Sequence, residues 1–330
     1  MKEELKVLFV SSSRKGEGIS PFILSQGESL RLIGIIIDYY LIEGQGINNY
    51  LKSILKIRSI LKSKDYDIIH AHYGMSGIVS RLSFSNKKVV VSFLGDDLMG
   101  SVKSNGTYSR FSVGIVFLNK LFARYFFDIN IVKSESLAMK LFRETKFHII
   151  PNGVDITKFS PVPKNTARKE IGIDQSGKYL LFLGDPQRPV KNYILFESCR
   201  IFIKELKEYK ILLLKGVNKE QANLYYNAAD ICILSSLHEG SPNVVKEAMA
   251  CNSIIVSTDV GDVSWLFDNI DGYYISKKDP ISLARTIDKA ALFDRASYRP
   301  NGRERILTLG LDSNSIAQKI SEVYRSIFNN

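Results

Sequence analysis

Glu239 and Glu247 stand eight positions apart in the segment SSLHEGSPNVVKEAMACNSIIVST, with a Gly-Ser-Pro-Asn turn and an apolar run between them. Ser241 suits the position before a helix, where its oxygen can accept from a first-turn N–H, and Pro242 suits the first helical position, where an N–H would have no partner. Val244, Val245, Ala248 and Met249 follow at helical spacing. The apolar runs DICILSS before this helix and SIIVST after it read as strands. The segment therefore predicts a βαβ unit whose helix begins at the carboxyl edge of a parallel sheet, where open α/β folds bind ligands. Free N–H groups and the positive end of the helix dipole favour a phosphate at that point. Two acids beside it suit hydroxyl groups better than phosphate oxygens, so the ligand reads as a sugar phosphate or nucleotide sugar.

Four more segments accompany this one: DIIHAH (Asp67 to His72), VVVSFLGDDL (Val89 to Leu98), FHIIPNGVDITKF (Phe147 to Phe159) and VSTDVGDVSWLF (Val256 to Phe267). Together, and in this order, they resemble the retaining glycosyltransferases of family 4, whose signature is a pair of glutamates separated by seven residues. The resemblance spans nearly the whole chain. It implies an α/β protein of two facing Rossmann-like domains, the GT-B type, with a cleft between them. An acceptor-binding domain would cover residues 1–158 and a nucleotide-sugar-binding domain residues 159–312, with a terminal helix at 313–330 packing back on the first.

Residue by residue, the resemblance gives Glu247 the task of accepting hydrogen bonds from the donor ribose. Glu239 would face the donor sugar near its anomeric centre, and the turn Gly240, Ser241, Pro242, Asn243 and Val244 would hold sugar hydroxyls and phosphate. In the loop RKGEGIS, Gly16 and Gly18 serve a plain strand-to-helix turn equally well by themselves. The family places a glycine loop there, facing the donor phosphates or the acceptor.

Glycosyl transfer from a nucleotide sugar expels a diphosphate, so positive charge must act most strongly in the transition state. Lys191 and Arg188, in GDPQRPVKNYILF, are the basic candidates. Lys191 before Asn192 matches the family's lysine. The family's arginine directly follows the glycine, where this chain has Asp185, so Arg188 departs from the pattern. The resemblance implies no carboxylate nucleophile: the acceptor attacks from the face the diphosphate leaves, and a phosphate oxygen takes the proton. No Asp-x-Asp motif stands in a suitable context, so neither a metal nor another cofactor is implied.

Composition bounds the partners. The 330 residues exceed one ordinary core and fit two domains, and 45% apolar content is normal for a globular chain. No apolar stretch is long and uncharged enough to span a bilayer, and the N-terminus lacks a signal peptide's apolar core and cleavage site, so the expected location is cytoplasmic. Cys199, Cys232 and Cys251 sit in apolar segments at no metal-binding or redox spacing and read as core residues. The net charge of +11 is either a set of solvated helix faces, as in YLKSILKIRSILKSK (Tyr50 to Lys64), or attraction to an anionic membrane on the inner face of the plasma membrane. No nucleic-acid-binding motif accompanies the charge, so no nucleic acid is expected.

In the first half, KVLFVSSS (Lys6 to Ser13) reads as a first buried strand, with a helix beginning near Pro21. The stretch TKFSPVPKNTARKEIGIDQSGK reads as a linker without strong periodicity. YILFESCRIFIKEL reads as one helix, and SNSIAQKISEVYRSIF as a terminal helix with Ile316, Ile320, Val323 and Ile327 at helical spacing. His70 and His72 end a strand and, with Asp97, are acceptor-side candidates. His148 reads as structural, while His238 beside Glu239 could touch the donor sugar or merely lead into the helix. Many relatives carry a histidine where this chain has Leu94, which leaves Asp96 or Asp97 as the polar group there.

The reading is a retaining transferase that moves a hexose-type unit from a nucleotide sugar, UDP-linked, to a surface-polysaccharide or lipid-linked oligosaccharide acceptor. Two alternatives stay open: a nucleotide-sugar epimerase or hydrolase of the same fold, and a non-catalytic two-lobed nucleotide-sugar-binding protein. The first would release product without an acceptor. Retention of both glutamates with Lys191 argues against the second.

Overall fold

The structure is a computed structural model that describes residues 4–13, 16–44, 46–103, 107–204, 208–295 and 298–328. The chain divides into two compact α/β units: it passes from the first to the second between Gly153 and Val154 and back between Asp312 and Ser313, and Val102, Lys103 and Thr107 are also grouped with the second.

The first unit begins β1 (Lys6–Ser13), α1 (Pro21–Leu32), β2 (Ile36–Glu43), α2 (Ile47–Ser63) and β3 (Ile68–His72). It continues with α3 (Gly74–Arg81), β4 (Lys88–Ser92), α4 (Asp96–Met99), α5 (Arg110–Tyr125), β5 (Ile129–Val132), α6 (Glu135–Ala138) and β6 (His148–Ile149). All six strands pair in parallel, in the order β2-β1-β3-β4-β5-β6. The strand sequences explain this arrangement. Val7, Leu8, Phe9 and Val10 of β1 are consecutive and all buried, as a parallel strand covered on both faces requires. One face is filled by Ile57 of α2, Ile78 and Val79 of α3 and Ala123 of α5.

The second unit holds α7 (Lys164–Glu170), β7 (Lys178–Phe182), α8 (Tyr193–Cys199), β8 (Tyr209–Leu213), α9 (Lys219–Ala228) and β9 (Ile231–Leu234). It ends with α10 (Asn243–Ala250), β10 (Ile255–Thr258), α11 (Val263–Phe267), β11 (Tyr273–Ser276), α12 (Pro280–Arg295) and α13 (Gly302–Thr308). Its sheet is also parallel, in the order β11-β10-β9-β7-β8. Leu180, Phe182, Ile231, Ile233 and Val256 pack there against Phe196 of α8 and Leu283 and Ile287 of α12. The last helix, α14 (Ser313–Ser326), belongs to the first unit and packs on α1, burying Ile316, Ile320, Val323 and Tyr324.

Three local expectations fail for identifiable reasons. The stretch read as an aperiodic linker contains α7, because Arg168 is drawn inside to reach both carboxylate oxygens of Asp230 at 3.0 Å and fixes the turn around it. The helix expected over YILFESCRIFIKEL stops at Cys199, passes through a 3-10 turn at Arg200–Phe202 and becomes extended at Ile203. The run Ile-Phe-Ile there is β-branched and aromatic, which weakens helix propagation; the last two residues of the segment lie outside the described ones. The third failure is the Ser241 cap. Pro242 holds the cap position and no side chain caps the helix, because the Ser241 hydroxyl donates to Asp262 Oδ2 at 2.6 Å.

All three cysteines are buried and unpaired. Burial pushes the Cys199 and Cys232 thiols up to about 12, which leaves them inert packing residues. Among the described residues, no helix is long and apolar enough to cross a membrane.

Candidate active site

The carboxyl ends of β7, β9 and β10 bring three loops together in the second unit. After β7 the chain forms a 3-10 turn at Pro189–Lys191, closed by Asn192 in the left-handed region at φ 52°, which asparagine tolerates better than most residues. Ties to the β9 loop fix this turn: Ser235 Oγ donates to the carbonyls of Lys191 and Asn192 at 3.1 and 3.0 Å, and Leu237 N donates to Val190 O at 2.9 Å. Thr258, at the end of β10, donates its hydroxyl to Ser236 O at 2.8 Å.

Lys191 is buried, and its Nζ donates to Glu239 Oε1 at 2.6 Å. The same oxygen accepts from Ser236 Oγ at 2.7 Å. The lysine stem lies across Gly184, where a Cβ would stand 3.0 Å from Lys191 Cγ and Cδ. A side chain at Gly184 would press on that stem. Glu239 leads into the turn before α10, and Gly261, at φ 62°, crosses behind it: a Cβ there would come 2.9 Å from Gly240 O. Gly240, Ser241 and Pro242 are buried, whereas Asn243 and Val244 stay partly open at the first turn.

Glu247 lies on the same helix, partly buried, with Oε2 accepting from the Tyr226 hydroxyl at 2.7 Å. Burial raises its pKa above the ordinary carboxylate value; the tyrosine bond and the neighbouring lysines oppose that rise. His238 is partly open beside Glu239. Arg188 is exposed, and its guanidinium makes no hydrogen bond or ion pair among the described residues, so it does not join the Lys191–Glu239 group.

Sequence reasoning missed the group beneath the turn. Lys246 is fully buried and donates from Nζ to Ser241 Oγ at 2.9 Å, while Ser241 donates onward to Asp262. Burial lowers the Lys246 pKa to about 8, opposed by the charges of Asp262 and Glu247, and raises that of Asp262. The signal was faint. Val245, Ala248, Met249 and Ala250 are buried on most sides of α10, so the lysine set among them needed an acid partner that only the fold could name.

The first-unit candidates sit differently. Gly16 and Gly18 have φ 86° and 69° with open space around them. His72 ends β3 but His70 lies mid-strand, and both are fully buried with their rings stacked at 4.5 Å. His70 contacts the Tyr324 hydroxyl at 2.5 Å through Nδ1 and Ser92 Oγ at 2.8 Å through Nε2. Both ring nitrogens of His72 are buried and have no hydrogen-bond partner among the described residues. Asp97 accepts from the backbone of Leu94, Gly95 and Gly74, so its carboxylate anchors its own loop and the start of α3. Burial raises its pKa to about 6 against those bonds. His148 is exposed on β6.

Two family models match the chain: Glycosyltransferase Family 4 over residues 12–158 and Glycosyl transferases group 1 over residues 173–291. The chain belongs to the group 1 glycosyltransferases, family 4 type. Among named members of these glycosyltransferases, the TuaC protein of Bacillus subtilis, named for teichuronic acid biosynthesis, is 27% identical over 69% of this chain and 63% of its own length. The UDP-Gal:alpha-D-GlcNAc-diphosphoundecaprenol alpha-1,3-galactosyltransferase of Escherichia coli is 24% identical over 69% of this chain and 67% of its own. An N,N'-diacetylbacillosaminyl-diphospho-undecaprenol alpha-1,3-N-acetylgalactosaminyltransferase of Campylobacter jejuni is 24% identical over 92% of this chain and 89% of its own.

Solved structures agree on the fold. Sucrose-phosphate synthase of Thermosynechococcus elongatus superposes with a TM-score of 0.81 at 18% identity, over 98% of this chain and 99% of that one. HepE of Anabaena in complex with UDP-glucose gives 0.73 at 16% identity, over 98% and 100%. These neighbours are GT-B glycosyltransferases, and the present chain has their α/β architecture of two parallel sheets.

Proposed function

We propose that this chain is a retaining, metal-independent glycosyltransferase that takes a sugar from a UDP-linked donor to a lipid-linked or polysaccharide acceptor. The observation that carries the reading is the buried Lys191 held against Glu239 beside the first turn of α10, with Glu247 further along the same helix. First-turn amides have no acceptor within their helix and suit a phosphate or sugar oxygen. Glu247 and its Tyr226 donor stand ready to receive ribose hydroxyls, and Glu239 the donor sugar. In the reaction the bond from the anomeric carbon to the diphosphate breaks, a bond from the acceptor oxygen forms on the same face, and a phosphate oxygen takes the acceptor proton.

Lys191 supplies positive charge where the leaving oxygen gains negative charge. It must first give up part of its bond to Glu239, so donor binding exchanges one ion pair for another. UDP appears in the names of the Escherichia coli relative and of the HepE complexes, and undecaprenyl-diphosphate acceptors in the names of two relatives; these support the choice of donor and acceptor. A lipid acceptor places the enzyme at a membrane surface, where the charge of +11 favours an anionic leaflet. The test is transfer of labelled sugar from UDP-hexoses to undecaprenyl-diphosphate glycans, with and without EDTA. Acceptor-dependent product that keeps the donor's anomeric configuration and survives EDTA supports the reading. Sugar release or epimerisation without acceptor favours the hydrolase or epimerase, and a strict need for magnesium or manganese contradicts the metal-free mechanism.

A further inference from the structure

Helix α5 packs Phe122 and Ala123 on the core but exposes much of its remaining apolar surface. Its buried residues are Ser112, Asn119 and Ala123, while Phe111, Val113, Phe117 and Tyr125 are 65%, 57%, 60% and 67% exposed. Asn119 explains the inner face, since its amide donates to Asp97 O at 2.8 Å. Those four exposed side chains stand outside the core cluster of this unit. Phe117 instead meets Phe142 at a ring-centroid distance of 5.8 Å, which joins the helix surface to the stretch 139–147, where Met139 is 76% and Phe147 41% exposed.

The charge around these rings is one-sided. Residues 108–126 and 139–147 contain six basic residues (Arg110, Lys120, Arg124, Lys140, Arg143, Lys146) and one acid, Glu144, which is paired with Arg124 at 2.7 Å. Rings that favour the boundary between headgroups and acyl chains, set among basic heads that reach anionic phosphates, are what an interfacial helix presents. A second copy of the same surface would bring like charges together around the apolar centre and repel.

We infer that the outer face of α5, with Met139 and the basic residues beside it, is the surface by which this protein sits on an anionic lipid bilayer. The inference rests on the lipid-linked-acceptor reading and assigns its attachment to α5 rather than to the lysine-rich helix α2. That helix carries Lys52, Lys56 and Lys62 on its exposed side and also exposes Ile47, Leu51 and Leu55, but it presents no exposed aromatic ring, and its opposite face buries Ile57 in the core.

Sedimentation with vesicles of phosphatidylglycerol and phosphatidylcholine, against phosphatidylcholine alone, tests it on the full chain. Wild type should bind the anionic vesicles and leave them as salt rises. Phe111→Gln with Phe117→Gln should cut the bound fraction at least about tenfold, with UDP affinity and thermal unfolding unchanged, and Arg110→Gln, Lys140→Gln and Arg143→Gln together should do the same. Lys52→Gln, Lys56→Gln and Lys62→Gln should leave binding near wild type. If wild type binds and only the α2 variant fails, the assignment to α5 is overturned while the membrane reading stands. If wild type ignores both kinds of vesicle, the membrane reading itself falls. Concentration-dependent dimerisation abolished by the phenylalanine substitutions, without vesicle binding, would show a protein interface instead.

Discussion

Lys191 Nζ and Glu239 Oε1 lie 2.6 Å apart in the second unit, and Ser236 Oγ donates to the same carboxylate oxygen. A lysine bound this way is oriented before any donor arrives, and its charge is balanced until a diphosphate competes for it. Both partners are mostly shielded from water, so the pair is screened less than a surface bridge would be.

Replacing Lys191 with alanine should therefore lower kcat by about a hundredfold or more, with a smaller change in KM, because the interaction strengthens as the diphosphate leaves. Steady-state kinetics with saturating acceptor measures the split. A variant that changes KM alone would assign Lys191 to ground-state binding.

The buried relay Lys246–Ser241–Asp262 supports the turn from below. Lys246→Met leaves Asp262 in the interior without its counter-charge and should cost about 3 kcal/mol in urea unfolding. Adding Asp262→Asn should recover much of that loss, since the pair is then removed together. Independent, additive losses from the two substitutions would show that the residues are not coupled.

Acid should weaken the first unit through its histidines. Burial, with Lys133 adding to it, holds His72 neutral down to about pH 3, and His70 also lies well below its ordinary value. These are bases with depressed folded pKa values, so between about pH 3 and 6.5 the unfolded chain binds protons that the native state does not. Stability from these groups is complete above pH 6.5 and is lost as pH falls through that window. His72→Phe should remove about 2 kcal/mol of the loss seen between pH 6.5 and 5. Equal acid sensitivity in wild type and variant, measured by denaturant unfolding at the two pH values, would contradict this.

Much of the architecture was legible. The uninterrupted apolar runs of β1, β3, β4 and β9 announced parallel strands covered on both faces, and β1 falls at Lys6–Ser13 as read. The alternation of those strands with short amphipathic helices gave the α/β class. Glu239, Lys191 and Glu247 were picked as one site although Lys191 and Glu239 are 48 residues apart in sequence, and the first two are in direct contact. What failed depends on tertiary partners. Ser241 looks like a cap until Asp262 claims its hydroxyl, and Lys246, which the sequence left unread, is buried beneath the same turn. The segment of α5 drew no reading from the sequence, and only the packed structure puts Asn119 inside and Phe117 outside.

The central claim is that the second unit holds a nucleoside-diphosphate sugar through Glu247 and the turn before it. Isothermal titration of UDP and UDP-hexoses into wild type and Glu247→Ala tests it most directly, with circular dichroism to confirm that both are folded. Glu247→Ala should weaken UDP binding by about 1–3 kcal/mol, the loss expected for a charged hydrogen-bonding partner. Equal UDP affinity in the two folded proteins would contradict it.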